Sequence, residues 1–297
     1  MTLRPKLTNA GRPATYEVEA FNERGEMVPT AIAGEHPLTM YLDKRELVTL
    51  MTLGQAPEAL AIGYLRNQRL VASVDDIAEV QVDWESDSVA IVTRKGKGIA
   101  AKDLAARLGK RTVTTGCGQG TVFGGLMDEI DTIKLRDDVR LEDFQLFSLI
   151  EQVRKHETIY KQAGAVHGCA LAKATPEGAE IMMFVEDVGR HNAVDAIAGQ
   201  MWLGEGVRGS PQGSPVPIDG SDKIFYTTGR LTSEMVIKCA QMGIPFLVSR
   251  SGLTKMGHDI AKKIGITMLG RASGRHYLLF TGGERIVRTS PQPTAFA

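Results

Sequence analysis

The sequence predicts an α/β protein whose larger half is built on a mixed or parallel sheet, and three observations carry that reading. Short, almost wholly apolar runs at 224–227, 246–249 and 266–269 alternate with helix-length segments at 233–242 and 256–264. Strands that are apolar on both alternations are buried on both faces, as parallel strands covered by helices are. Gly243 and Gly265 follow the two helical segments, where a left-handed residue commonly ends a helix. Small, polar and basic residues follow each apolar run, at the strand ends where ligands of open α/β sheets collect.

The remaining elements follow in chain order. Residues 35–42 read as a strand entering a small sheet, and 56–66 as a helix in which Leu60, Ala61 and Tyr64 share one buried face. Residues 78–82 and 89–93 read as paired strands. A glycine-rich segment runs over 112–125. A second region opens with a helix over 141–161, where Leu141, Phe144, Phe147, Ile150 and Val153 recur on one face and call for packing against a sheet. Residues 169–172 and 181–185 read as strands, 193–203 as a helix, and 276–280 as the last strand. Between 204 and 222, Arg208, Gly209, Ser210, Pro211, Gln212, Gly213, Ser214 and Pro215 read as an exposed loop. The first dozen residues and those from Thr289 onward read as frayed tails.

Composition narrows the function. The chain has 297 residues, enough for one large domain or two modest ones. Its 35 basic and 35 acidic side chains cancel, which argues against a general nucleic-acid or membrane-surface binder. No run of about twenty apolar residues offers a membrane span, and Met1 to Pro13 lacks the apolar stretch of a secretory signal. The cysteines, Cys117, Cys169 and Cys239, form no CxxC pair, so neither a disulfide framework nor a zinc ribbon is expected, and a cytoplasmic setting is. Charge is uneven: Arg250, Lys255, Lys262, Lys263, Arg271, Arg275, Arg285 and Arg288 face only Asp259 and Glu284 over 250–288. That excess suits a phosphorylated ligand, although a solvated helix face accounts for part of it.

Four groups of residues carry candidate chemistry. Cys117 sits among Thr114, Thr115, Gly116, Gly118, Gln119, Gly120 and Thr121, with Gly124 and Gly125 following. An accessible, reactive thiol on a mobile loop is written this way, and so is a glycine-rich turn that happens to carry a cysteine. The polar run Glu186, Asp187, Val188, Gly189, Arg190, His191 and Asn192 follows an apolar strand, as a ligand site or as a buried ion-pair network. His167 opens another apolar strand, where a hydrogen-bonded core histidine is the plainer reading. Thr227, Thr228, Gly229, Arg230, Leu231, Thr232, Ser233 and Glu234 read as strand, glycine turn and helix start, whose free backbone N–H groups suit an anion. The lysine of a P-loop is missing. Ser249, Arg250 and Ser251 close the next strand, and Arg271, Ala272, Ser273, Gly274, Arg275 and His276 the one after. Three successive strand ends presenting small residues plus arginine point to a phosphate-bearing ligand, which the planar donor fork of arginine suits.

These motifs together resemble those of the formate dehydrogenase accessory sulfurtransferases, the FdhD family. Glu186 to Asn192 with Ala193, Val194 and Asp195 resembles its EDVGRHNAVDK signature. Thr228, Gly229 and Arg230 with Ser233, Glu234, Met235 and Val236 are similar to its SGR-x-S-x-EM motif. The His167 segment and the stretch from Ile244 to Ser251 fit as well, so the resemblance runs from about Glu35 to Phe280.

The resemblance implies a function: passing sulfur from a cysteine desulfurase to the molybdenum bis-guanine-dinucleotide cofactor, bound as cargo, before formate dehydrogenase receives it. It implies a homodimer without a metal of its own. It implies a cytidine-deaminase-like three-layer core over 137–288 and a smaller N-terminal α+β subdomain over 13–111. Between them 112–136 would form the mobile Cys117 loop and linker, with flexible tails at 1–12 and 289–297. Cys117 matches the first cysteine of the family's CGxC-type sulfur-carrying loop. Arg271, Ala272, Ser273, Gly274, Arg275 and His276 fall where the family contacts the cofactor, and Arg190, His191, Arg230, Arg250 and His167 join them as candidate contacts to phosphate or guanine. The chain departs from the family pattern twice. Gly120 stands where a second loop cysteine is usual, and Asn67, Gln68, Arg69, Leu70 and Val71 replace an acidic EGII-like element. With no vicinal thiol to attack a persulfide and release sulfide, a one-cysteine carrier is expected.

Three other readings compete. A cofactor-binding chaperone would need no sulfur on Cys117. A zinc nucleoside deaminase would need a glutamate where His167, Gly168 and Cys169 have cysteine, and a P-C-x-x-C that is missing. A cysteine–histidine hydrolase would pair Cys117 with His167 or His191 in space.

Overall fold

The computed structural model describes residues 4–95, 97–99, 112–113, 120–121, 130–156, 158–205 and 216–289. The N-terminal part holds β1 (Lys6–Leu7), β2 (Thr15–Phe21), β3 (Met27–Ala33), β4 (His36–Leu42), β5 (Arg45–Thr52), α1 (Pro57–Asn67), β6 (Ile77–Asp83) and β7 (Ser88–Thr93). Five of these strands form a sheet in the order β1-β6-β7-β4-β5. The pair expected at 78–82 and 89–93 is there, antiparallel, as β6 and β7. Residues 6–7 pair with β6 as an edge strand, where the sequence reading expects only a tail. β2 and β3 form a separate hairpin that the sequence reading did not list. Its turn is held by the Asn22 side-chain oxygen, which accepts from Arg24 N and Glu26 N, and by Gly25 at φ +75°.

α1 departs from the expected single buried face, because almost every residue along it is buried. The sheet covers one side, and α4 (Arg190–Leu203) lies against the other at backbone contact. A Cβ on Gly63 would stand 1.7 Å from the Asp195 carbonyl oxygen, and one on Gly199 would stand 1.9 Å from that of Ala59. Only glycine permits a crossing this close.

Two short strands, β8 (Thr112–Val113) and β9 (Gly120–Thr121), pair antiparallel. Then come β10 (Leu141–Glu142), α2 (Asp143–His156), α3 (Ile159–Ala163), β11 (His167–Thr175) and β12 (Gly178–Asp187). After α4 follow β13 (Lys223–Thr227), α5 (Ser233–Gln241), β14 (Phe246–Ser249), α6 (Lys255–Ile264), β15 (Thr267–Ser273), β16 (His276–Thr281) and β17 (Ile286–Val287). The large sheet is mixed, in the order β12-β11-β13-β14-β15-β16. Its parallel centre, β13 beside β14 beside β15, is the one the apolar runs predict. Gly243 at φ +79° and Gly265 at φ +79° end the two crossover helices as expected.

Side-chain alternation sorts the sheet into two faces. Cys169, Leu171, Met183 and Phe225 pack with α4, α5 and α6. Ala170, Ala172, Tyr226 and Val248 pack with Leu146, Leu149, Ile150 and Val153 of α2. The result is helix, sheet, helix.

The helix expected over 141–161 is a strand and two helices. Leu141–Glu142 pair in parallel with β17. The buried face of α2 is Leu146, Leu149, Ile150 and Val153, while Phe144 and Phe147 are partly exposed. The Glu186 carboxylate accepts the backbone N–H groups of Thr158, Ile159 and Tyr160 at 3.0–3.1 Å. Those N–H groups are the ones a continuous helix would turn back on itself, so the chain starts again as α3. No helix among the described residues is long and apolar enough to cross a membrane.

Candidate functional site

β11 runs antiparallel to β13, so its first residue, His167, reaches the same sheet edge at which β13 and β14 end. Gly164 at φ +62° and Ala165 at φ +55° turn the chain into that strand. The ends are stapled together by hydroxyls. Gly168 N donates to Thr228 Oγ1 at 3.0 Å, and Gly229 N to Thr227 Oγ1 at 3.0 Å. Ser249 Oγ donates to the Gly229 carbonyl at 2.7 Å and accepts from Ser251 N at 2.8 Å. Leu231 N bonds the Gly252 carbonyl, and Thr254 N bonds the Leu231 carbonyl. Two strand-end loops thus form one rigid rim.

Cations gather on that rim. Arg190, the first residue of α4, is buried, and Gly229 makes room for it: a Cβ there would stand 2.7 Å from Arg190 Cδ. Arg230 and Arg250 are exposed at the ends of β13 and β14. Arg250 lies 5.4 Å over the Tyr160 ring, a cation–π contact. Half-buried His167 stands 3.4 Å from Thr228 Oγ1. Burial, and then the guanidinium groups of Arg190, Arg230 and Arg250, hold its imidazole below the ordinary histidine range. Neutral His167 with three arginines around it suits a ligand carrying more than one negative charge. Thr232, at the N-cap of α5, has a buried hydroxyl that meets no hydrogen-bond partner among the described residues.

The structure separates residues that the sequence groups together. Glu186 caps α3. Asp187 accepts from Thr52 Oγ1 at 2.5 Å, Leu53 N at 3.1 Å, Gly189 N at 2.9 Å and Asn192 Nδ2 at 2.8 Å, latching the large sheet to the end of β5. Burial raises its carboxyl above the ordinary range despite those donors. His191 is buried, with Nε2 3.4 Å from Glu234 Oε2. Burial pushes it down to about 3, so it is neutral at pH 7. It belongs to a buried network with Glu234, Lys238 and Asp195. The buried-network reading of the polar run therefore holds for Glu186, Asp187 and His191, while Arg190 stands at the rim.

Residues 271–276 turn from β15 into β16. Arg271 adopts φ +52° and donates its N–H to the Ser251 carbonyl at 2.9 Å, which joins this turn to the rim. Arg271, Ser273, Gly274, Arg275 and His276 are exposed, whereas Ala272 is fully buried in the core under α2. Arg275 lies 5.8 Å over the Phe147 ring. Cys117 lies outside the described residues, between the paired segments β8 and β9. The other two cysteines are core residues. Cys169 donates to Thr227 Oγ1 at 3.3 Å, and burial pushes its thiol up to about 12. Burial also raises Cys239 well above the ordinary thiol range. Among the described residues no group of three or more His, Cys, Asp or Glu is placed to hold a metal ion.

The sequence reading did not single out Tyr160, Thr52 or Ser249 for their roles here. Ser249 was visible as a hydroxyl closing a parallel strand. Tyr160 and Thr52 gave no local signal, because the first depends on the Glu186 cap and the second on a contact 135 residues away in sequence.

Residues 33–287 match the sequence profile of the FdhD/NarQ family. The chain is similar to the sulfur carrier protein FdhD of Listeria innocua, 28% identical over 278 residues, covering 91% of this chain and 95% of the relative. It is similar to the protein of the same name from Sulfurisphaera tokodaii, also 28% identical, with 90% and 95% covered. Its fold is similar to a crystal structure from Desulfotalea psychrophila assigned as a formate dehydrogenase accessory protein. There the TM-score is 0.67 at 26% identity, covering 92% of this chain and 98% of that one.

Proposed function

We propose, for a chain that belongs to the FdhD/NarQ family, that it is a sulfur carrier needed for formate dehydrogenase activity. The observation that carries this reading is the gathering of His167, Arg190, Arg230 and Arg250 on one rim of stapled strand ends. Such a rim fits the phosphates of a guanine-nucleotide cargo, the molybdenum bis-guanine-dinucleotide cofactor. The buried Thr232 hydroxyl at the start of α5 supports an anion there, and Arg271 to His276 extend the rim toward the guanine end.

In the sulfur step, the Cys117 thiolate attacks the outer sulfur of a persulfide on a cysteine desulfurase. The donor S–S bond breaks as the new one forms, and the donor leaves as a thiolate, with no net oxidation or reduction. Cys117 is the one cysteine suited to this, since Cys169 and Cys239 are sealed in the core. The outer sulfur of the Cys117 persulfide then passes to the molybdenum of the bound cargo: the S–S bond breaks, Cys117 leaves as a thiolate, and the cargo metal supplies the two electrons that make the transferred atom a sulfide ligand. The sulfurtransferase works in the cytoplasm as a homodimer, and its layered domain is of the cytidine-deaminase type. The test is incubation with a cysteine desulfurase and radiolabelled cysteine: label on the wild-type chain and none on Cys117→Ala is expected, and equal labelling of both overturns the carrier. Gly120, in place of a second loop cysteine, favours one alternative, a cofactor-binding chaperone. Full formate dehydrogenase activity in cells carrying Cys117→Ala would establish it.

A further inference from the structure

A second concave site lies away from the arginine rim and shares none of its residues. It is a cavity of about 570 Å³ where the end of α1 meets α4, α5 and the segment 97–99. That volume falls within the range of small-molecule pockets, roughly 300–1,000 Å³. Arg66, Arg69 and Lys97 line it, against a single carboxylate, Asp76. Lys97 Nζ lies 3.5 Å from Asp76 Oδ1, so that pair balances and Arg66 leaves the lining positive.

Arg66 and Arg69 are held in place. Arg66 Nη1 donates to the Ala198 carbonyl at 2.9 Å, and its guanidinium lies 5.2 Å over the Trp202 ring, which also lines the cavity. Among the described residues no carboxylate lies within ion-pair distance of Arg66. Burial pulls its guanidinium down to about 10, the mark of a cation stripped of water without a compensating charge. Arg69 stands in the left-handed region at φ +52°, a conformation a non-glycine residue holds only when its surroundings enforce it. Gln241, with its amide turned to accept, receives Arg69 Nε at 3.2 Å and donates to the Asn67 carbonyl at 3.0 Å. Leu70 and the indole of Trp202 supply an apolar wall beside these cations.

From this geometry we propose that the cavity binds a small organic anion, a phosphate ester or carboxylate attached to a flat apolar body. The anion lies against Arg66 and Arg69, and the body against Trp202 and Leu70. This inference is independent of the sulfur-carrier reading, because its readout involves neither Cys117 nor the arginine rim.

The test uses the full chain carrying Trp84→Phe, which leaves Trp202 as its one tryptophan, since the sequence has two. The probe is 4-nitrophenyl phosphate, read as quenching of Trp202 emission. Saturable quenching below about 10 mM is expected, weakened about tenfold by Arg66→Met, which removes a charge-assisted bond. Lys97→Glu, on the exposed side of the cavity, is expected to weaken it as well and guards against misfolding of the Arg66 variant. The proposal is overturned by any one of three results: no saturable quenching, wild-type affinity in both Arg66→Met and Lys97→Glu, or equal binding of neutral 4-nitrobenzyl alcohol. Competition by inorganic phosphate as strong as by the probe itself would overturn the organic part and reduce the cavity to a bare anion site.

Discussion

Lys238 Nζ lies 2.8 Å from Asp195 Oδ2, with both side chains all but sealed from solvent. Glu234 Oε1 stands 3.2 Å from the same ammonium, and Asn67 Nδ2 donates to the other Asp195 oxygen at 2.7 Å. One buried cation with two carboxylates thereby ties α1, α4 and α5 together. Burial alone would lower the Lys238 ammonium, but Asp195 and Glu234 hold it above the ordinary lysine range. Lys238→Met leaves both carboxylates buried without their counter-charge and is expected to cost about 3–5 kcal/mol. Urea unfolding measures it, and a loss under about 1 kcal/mol would show that the network carries little of the fold.

His191 gives the acid side of the stability curve a testable shape. Its folded pKa, about 3, lies below the ordinary value near 6.5, so the unfolded chain takes up the proton first. Its contribution is therefore complete above pH of about 6.5 and is lost as pH falls toward 3, at up to about 1.4 kcal/mol per pH unit. Asp187 and Asp195, raised by burial, act with the opposite sign. Both stay in His191→Gln, so the difference between the two proteins isolates the imidazole. Unfolding free energies from pH 7 to 4 should fall more steeply in wild type than in His191→Gln; parallel curves would contradict the burial of a neutral imidazole.

The contact between α1 and α4 rests on two glycines. Gly63→Ala or Gly199→Ala places a methyl group under 2 Å from a carbonyl oxygen of the facing helix. Overpacking of that kind is expected to cost about 3 kcal/mol, lowering Tm by roughly 6–12 °C. Gly252→Ala, where nothing lies within 4 Å of the added Cβ, serves as the control and should shift stability by less than about 0.5 kcal/mol. Calorimetric melting of the three variants decides it.

Gly229→Ala probes the rim without removing a charge. The new methyl group meets Arg190 Cδ, the middle of a side chain, and pushes the guanidinium aside while the backbone stays in place. GDP binding, followed by titration calorimetry, is expected to weaken about tenfold with little change in melting. Unchanged affinity would place Arg190 outside the nucleotide site.

The parallel centre of the large sheet was legible from residues alone, because each of its signals is short-range. The apolar runs of β13, β14 and β15 need no partner to be recognised, and Gly243 and Gly265 end their helices by a backbone preference of their own. The arginines were visible as a series for the same reason: a strand end is a local event. Tertiary structure decided which polar residues stand on the rim and which are tied into caps, latches and buried pairs. Within six residues, Glu186 became a helix cap, Asp187 a latch to β5, Arg190 part of the rim and His191 part of a sealed network. Each role is set by a partner tens to more than a hundred residues away, and the cost of burying an unpaired charge enforces it only once those partners have been brought together. Sequence periodicity describes one element at a time, whereas desolvation is a property of the packed whole.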